Sequence, residues 1–386
     1  MIETMLPDYH GNSLVNLMSC ILHGFGGRSK YKVTDPALVK EIKSAKNVVL
    51  LLIDGMGADV VAKLKKANKN SFLAKYYCRN LTSVFPSTTI SAITTSFTGM
   101  APGEHGLVAW YMYLKEFKDV IAILPLHNWE HKNADRSIKF AYPQPLFDKI
   151  TVESHTIIKK GFYKSSYNEH FCRKPIKWGI NNFNGLLTKL EKAVKYSDNR
   201  KYIYAYWGEY DHFCHFYGKE SPKSWKHLRE LDAKLGILVK KLKGTDTLLL
   251  ITADHGHIST SKQRTIILDK HAHFMECQEL PTGGEPRALF CYVLPQKTQQ
   301  FEQYVRHHLQ KYCTLHTAQE LVDKGYFGLF KPHPQLLSRI GDYVLILKEN
   351  YAFKEHPPEK KKELFIGNHG GVSKEEMTIP LVKVKL

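Results

Sequence analysis

An α/β fold with a mostly parallel central sheet sandwiched by helices follows from three observations. The chain holds three apolar strand-like runs, a well-punctuated helix between two of them, and a second strand–helix alternation further on that predicts a small α+β insertion. The first run, NVVLLLI (47–53), is uninterrupted and rich in branched side chains. Such a strand is buried on both faces, which a parallel sheet covered by helices provides. KYIYAYW (201–207) and TLLLITA (247–253) are the other two. Between them lies SPKSWKHLRELDAKLGILVKKLKG. There Ser221 can cap a helix, Pro222 suits its first position and Gly244 can end it. Trp225, Leu228, Leu231, Leu235, Leu238 and Leu242 recur every three or four residues and form one apolar face. Strand, helix, strand is a βαβ crossover.

From about 287 to 350 the alternation returns, with ALFCYVL, KTQQFEQYVRHHLQKY, AQELVDKGYFG and DYVLILK reading as strand, helix, helix and strand. The closing MTIPLVKVKL alternates Val382, Val384 and Leu386 with Lys383 and Lys385, as a strand with one wet face does. The expected division is an N-terminal extension (1–44), a core (45–256 with 364–386) and an α+β insertion (257–363) placed as a lid.

A chain of 386 residues is ample for a large core, and 43% hydrophobic with 24% charged residues is ordinary for a soluble protein. The formal net charge of +18 favours anionic partners such as nucleotides. The lysines are scattered, and EKKKE (359–363) reads as a solvated loop. Seven cysteines with no C-x-x-C argue for reduced thiols. The first residues lack a signal peptide's basic and apolar regions, and no run reaches about 18 apolar residues. The expectation is a cytoplasmic protein with no membrane span. No aromatic-interleaved basic patch or nucleic-acid motif occurs, so a non-catalytic nucleic-acid-binding protein is the remote alternative.

Each apolar run leads into a carboxylate: Asp54, then Asp211, then Asp254-His255. In open α/β sheets ligands bind beyond the carboxyl ends of the strands, so three strands deliver acids to one edge. Clustered carboxylates repel and resist ionisation, which bound divalent cations relieve. Asp211 and His215 are one helical turn apart and can grip one ion from the same face. His369, in IGNHGGVS, is a candidate third ligand. Carboxylate with imidazole suits zinc, and admits manganese or iron. A nucleophile is sought in SVFPSTTISAITTSFTG, where Ser87, Thr88 and Thr89 enter a helix stopped by Gly99. Hydroxyls at a helix N-terminus commonly cap it, but the free N–H groups there also favour a phosphate.

With these residues in view, the chain resembles the alkaline phosphatase superfamily, and within it the compact prokaryotic forms of the type I phosphodiesterase/nucleotide pyrophosphatase family. Five blocks carry the resemblance in order: LLIDGMG, FPSTTISAITTSFTGMAPGEHG, EYDHFCHFYG, ITADHG and GNHGG. It implies two divalent metals, one held by Asp211, His215 and His369, the other by Asp54, Asp254 and His255 with the nucleophile. It implies Thr89 as that nucleophile, with Thr88 and Ser87 as fallbacks. The implied chemistry is hydrolysis of a nucleotide or other phosphodiester through a phospho-threonine, with a phosphomonoesterase or phosphonate hydrolase as the alternative. One departure is Trp110, which stands where animal relatives carry a phosphate-binding asparagine. Arg287, at the entrance to the insertion, is a candidate contact for the far part of the substrate.

Overall fold

The computed structural model describes residues 3–128, 130, 132–135, 140–355 and 364–386. The EKKKE loop lies outside these. In chain order the first nine strands are β1 (Asn47–Ile53), β2 (Tyr77–Thr82), β3 (Tyr111–Leu114), β4 (Asp119–Ala122), β5 (His127–Asn128), β6 (Glu153–Lys159), β7 (Ile176–Ile180), β8 (Lys201–Trp207) and β9 (Thr247–Thr252). The C-terminal strand spans Thr378–Lys385. The main sheet has the order β2, C-terminal strand, β9, β1, β8, β6, β7. β1 pairs in parallel with β8 and β9, and β6 with β7 and β8. Only the C-terminal strand runs against its neighbours β2 and β9.

The apolar runs occupy the sheet's centre for a simple reason. All seven residues of β1 and all six of β9 are buried, so both faces need cover. Burying each Leu, Ile or Val contributes about 1.5–3 kcal/mol. The helix Pro222–Lys241 supplies part of that cover, burying Leu228, Leu231, Leu235 and Leu238. Ser221 Oγ accepts from the Ser224 N–H at 3.1 Å, the expected cap. The helix stops three residues before Gly244, whose φ of +80° turns the chain.

Residues 1–44 are part of the body: helix Leu14–Gly24 buries ten of its eleven residues in the main core. The insertion, in turn, is not self-contained. Its strands Cys313–Thr317, Tyr343–Leu347, Ala288–Cys291 and Gly283–Glu285 continue into β3, β4 and β5 as one seven-stranded sheet. The junction is the pairing of Gly284 with Tyr111. The insertion does have its own apolar cluster, including Phe274, Leu289, Phe301, Leu345 and Phe353. Its long helix is α-helical over Thr298–Tyr304 and passes into a π-helical turn over Val305–Leu309.

Candidate active site

At the carboxyl edge of β1, β8 and β9 the structure brings Asp54, Asp254 and His255 together, and beside them Asp211, His215 and His369. Within each group the ligand atoms lie within 4.8 Å of one another. His255 Nε2 is 3.3 Å from Asp54 Oδ1 and 3.7 Å from Asp254 Oδ2. His215 Nε2 lies 3.3 Å from Asp211 Oδ1 and 3.2 Å from His369 Nε2. The His255 and His369 rings stack with centroids 3.8 Å apart, which joins the two groups.

The hydrogen bonds around these side chains leave ligand atoms free. His215 Nδ1 faces Gly367 O at 2.8 Å, His255 Nδ1 faces Gly256 O at 3.0 Å and His369 Nδ1 faces Ser87 O at 3.2 Å. A carbonyl only accepts, so each Nδ1 carries the proton and each Nε2 presents a lone pair inward. Asp254 Oδ1 accepts from the backbone N–H groups of Gly55 (3.0 Å) and His255 (2.9 Å), while its Oδ2 is buried without a partner. Asp54 Oδ2 accepts from the Tyr206 hydroxyl, and its Oδ1 is likewise orphaned. Buried orphaned carboxylate oxygens are costly, and these side chains fit cations on both charge and donor type.

Electrostatics agree with that. Burial, then the neighbouring Asp211 and Asp254 charges, push the Asp54 carboxyl well above its ordinary range. Asp211 is also pushed up by burial, but His215, His257 and His369 outweigh this and hold it below its ordinary range. Burial, then the neighbouring His255 and His215, drives His369 well below the usual imidazole value, so it is neutral and able to ligate.

The three hydroxyls of the turn have distinct fates. Ser87 donates to Gly371 O at 2.7 Å, and Thr88 to Glu285 Oε1 at 2.7 Å. Thr89 alone faces the cluster, with Oγ1 3.3 Å from His255 Nε2. Thr89 opens the helix Thr89–Thr98, and Thr88 at the cap position makes no side-chain cap bond. Its hydroxyl is drawn away to Glu285, which leaves the helix's first N–H groups uncapped by it. Gly99, with φ +71°, ends this helix where the sequence placed the stop.

A cavity of about 670 Å³ opens from Thr89, Asp54 and Asp211. Its wall is largely aromatic: Phe97, Trp110, Phe162, Tyr204, Tyr206 and Trp207. Trp110 thus does line the cavity, while its backbone N–H donates to Glu285 Oε1 at 2.7 Å. Lys159 is the one Lys or Arg among the described lining residues, and it pairs with Glu209.

Four residues here were not singled out from sequence. Tyr206 could have been: Tyr202, Tyr204 and Tyr206 alternate along β8 and share a face. His257 follows His255 by two residues and is hydrogen-bonded to Asp211. Lys159 sits at the end of β6 with no local signal. Glu285 comes from the insertion, and no spacing announces its contact with a turn nearly two hundred residues earlier.

Burial pushes the Glu285 carboxyl up from 4.5 to about 7. Below pH 4.5 both folded and unfolded chains hold this proton and the group is neutral to stability. Between 4.5 and 7 only the unfolded chain releases it, so stability falls as pH rises. At 1.36 kcal/mol per unit the loss is up to about 3 kcal/mol. In metal-free protein, Glu285→Gln is therefore expected to be more stable than the parent at pH 8 and equal to it at pH 4. Urea midpoints at the two pH values measure this, and an equal difference at both would refute it.

Arg287 is corrected. It is 1% exposed, does not line the cavity, and grips Glu376 through Nε (3.1 and 3.2 Å) and Nη2 (2.9 Å). Its Nη1 donates to Tyr351 O. A guanidinium this buried needs a carboxylate partner, and Glu376 is equally buried. Arg287→Ala strands that carboxylate and should cost about 3–5 kcal/mol in denaturant unfolding. Activity per folded molecule should fall alike for large and small substrates. A loss confined to the larger substrate would restore a binding role.

The sequence profile of the type I phosphodiesterase/nucleotide pyrophosphatase family matches residues 48–372. Human ectonucleotide pyrophosphatase/phosphodiesterase family member 5 is 23% identical over 340 residues, covering 84% of this chain and 65% of the relative. Mouse bis(5'-adenosyl)-triphosphatase enpp4 is 27% identical over 244 residues, covering 58% of this chain and 50% of the relative. The chain thus spans between half and two thirds of these relatives. The solved structure of murine ectonucleotide pyrophosphatase/phosphodiesterase 5 superposes with a TM-score of 0.68 at 19% identity, covering 86% of this chain and 87% of that one. An inactive threonine-to-alanine variant of the murine protein, in complex with AMP, has a TM-score of 0.67 at 20% identity, covering 86% of this chain and 87% of that one. These likenesses show the fold.

Proposed function

Because the chain belongs to the type I phosphodiesterase/nucleotide pyrophosphatase family, we propose that it is a metal-dependent hydrolase of phosphodiester or phosphoanhydride bonds acting through Thr89. The observation that carries this reading is the sorting of the three hydroxyls, which leaves Thr89 alone facing the Asp/His cluster. Two divalent cations, zinc by the donor mix, would be held by Asp211, His215 and His369 and by Asp54, Asp254, His255 and Thr89, and would supply Lewis acidity and neutralise phosphate charge.

The chain's own groups do the following. Thr89 Oγ1 bonds to phosphorus as the bond to the leaving oxygen breaks, and its hydroxyl proton passes to the leaving oxygen, giving a phosphorylated threonine. Water then adds to phosphorus, and the threonine oxygen leaves with a proton. The uncapped N–H groups at the start of helix Thr89–Thr98 favour the phosphoryl anion beside them. The aromatic cavity suits a planar group on the substrate, such as a nucleobase. The complex of the murine neighbour's inactive variant with AMP supports a nucleotide.

A diester is favoured over a monoester by charge. A monoester brings about one more negative charge, and the only Lys or Arg among the described lining residues, Lys159, already has a carboxylate partner. A panel with added zinc or manganese tests this, comparing bis-p-nitrophenyl phosphate, p-nitrophenyl phosphate and dinucleoside polyphosphates. Faster hydrolysis of the monoester would overturn the substrate class. No reaction with any would overturn the enzyme.

Among the described residues no helix is long and apolar enough to cross a membrane. All seven cysteines are unpaired and six are buried, which supports a reducing, cytoplasm-like compartment.

A further inference from the structure

His257 is fully buried, and it differs from the three other histidines around it. His215, His255 and His369 each turn Nδ1 to a main-chain carbonyl and Nε2 inward. In His257 the arrangement is reversed. Nε2 meets Asp211 Oδ1 at 2.8 Å, and Nδ1 has no partner among the described residues. An ionised carboxylate only accepts, so Nε2 carries the proton and Nδ1 a bare lone pair. This tautomer spends its one donor on the carboxylate. Asp211, His255 and His257 also lie close enough to share an ion, but the His257 nitrogen that faces Asp211 is protonated, and its N–H goes to a carboxylate that is itself a ligand rather than to an outer acceptor.

The pocket around the ring is built to hold it there. A Cβ on Gly55 would lie 2.6 Å from His257 Nε2, and one on Gly367 would lie 3.1 Å from His257 Nδ1. Gly55 follows Asp54, and Gly367 supplies the carbonyl that orients His215. The ring is thus wedged between two backbone segments that themselves position ligands.

We propose that His257 is a positioning residue that donates its Nε2–H to Asp211 and so holds this carboxylate where it converges with His215 and His369 on one cation. The inference rests on the two-cation reading above. It goes beyond it by giving a role to a side chain outside both ligand sets. With His257 absent, Asp211 keeps its charge but loses the partner that fixes its orientation, so the cation held with His215 and His369 is the one that loosens.

The experiment compares His257→Gln, His257→Phe and His257→Ala with the parent, reading zinc affinity by competition with a chelator. Gln can place an N–H near the position of Nε2, whereas Phe fills the same space without one. Phe and Ala should weaken one of the two bound zinc ions, the one held with Asp211, His215 and His369, by about 10–100-fold, the range for outer partners of metal ligands, and Gln should stay close to the parent. If Phe binds zinc as the parent does, the ring is only a filler and the proposal falls. If Gln is as weak as Ala, the donated hydrogen bond is not what matters, and it falls too. Nitrogen NMR of the zinc-loaded parent decides independently of any variant's folding. His257 should show a protonated, unligated Nε2, and a metal-bound nitrogen would overturn the positioning role. A parent that binds no zinc at all would instead refute the two-cation reading itself.

Discussion

Thr89→Ala is expected to lose at least about 10³-fold in turnover, with the fold unchanged and the cation beside it still held by Asp54, Asp254 and His255. Removing a nucleophile that acts as part of a unit typically costs that much or more. The methyl of alanine removes a hydroxyl that makes one contact of 3.3 Å, to His255, so little structural stability is at stake. Thr89→Ser keeps an attacking oxygen and should keep much of the rate. Thr88→Ala is the informative control, because Thr88 donates to Glu285 rather than facing the cluster. It should lower stability and leave turnover within an order of magnitude. Steady-state rates on bis-p-nitrophenyl phosphate, with metal content measured alongside, check all three. A dead Thr88→Ala beside an active Thr89→Ala would shift the nucleophile by one residue.

Removing bound metal is expected to abolish turnover and to lower the melting temperature together. Without cations, the orphaned oxygens of Asp54 and Asp254 sit buried among like charges. A cation present at a thousand times its dissociation constant stabilises the native state by about 4 kcal/mol per site. Chelation should therefore produce a clear downward shift in calorimetry, and zinc or manganese should reverse both losses. Activity and melting temperature that survive exhaustive chelation would count against the metal centre.

How far the sequence could be read depended on the range of each interaction. The strands at 47–53, 201–207 and 247–252 were legible because a run buried on both faces carries its signal in consecutive residues. The carboxylates at their ends were legible for the same reason, since sheet topology takes them all to one edge. Arg287 was misjudged because its partner, Glu376, lies 89 residues away and nothing local reveals a buried pair. Glu285 was missed for the same cause: it meets Thr88 and Trp110 only after the insertion's sheet has joined β3. How residues 1–44 pack was not legible as a boundary, although helix Leu14–Gly24 is apolar on almost every side, a pattern that belongs to a core.

The three carbonyls that orient His215, His255 and His369 have a consequence for mutational robustness. A side-chain acceptor can be deleted by one codon change, but a main-chain oxygen survives every substitution at its own position. A scan of single variants would therefore pass over Ser87 as an acceptor. Gly256 and Gly367 are the exceptions, for a steric reason. A Cβ would lie 2.1 Å from Glu375 O at the first and 2.3 Å from Cys214 O at the second, so any side chain there displaces the backbone that carries the acceptor. The outer support of the ligand histidines is thus heritable as chain path rather than as residue identity. Drift can alter most letters around the site and leave the imidazoles aimed as before.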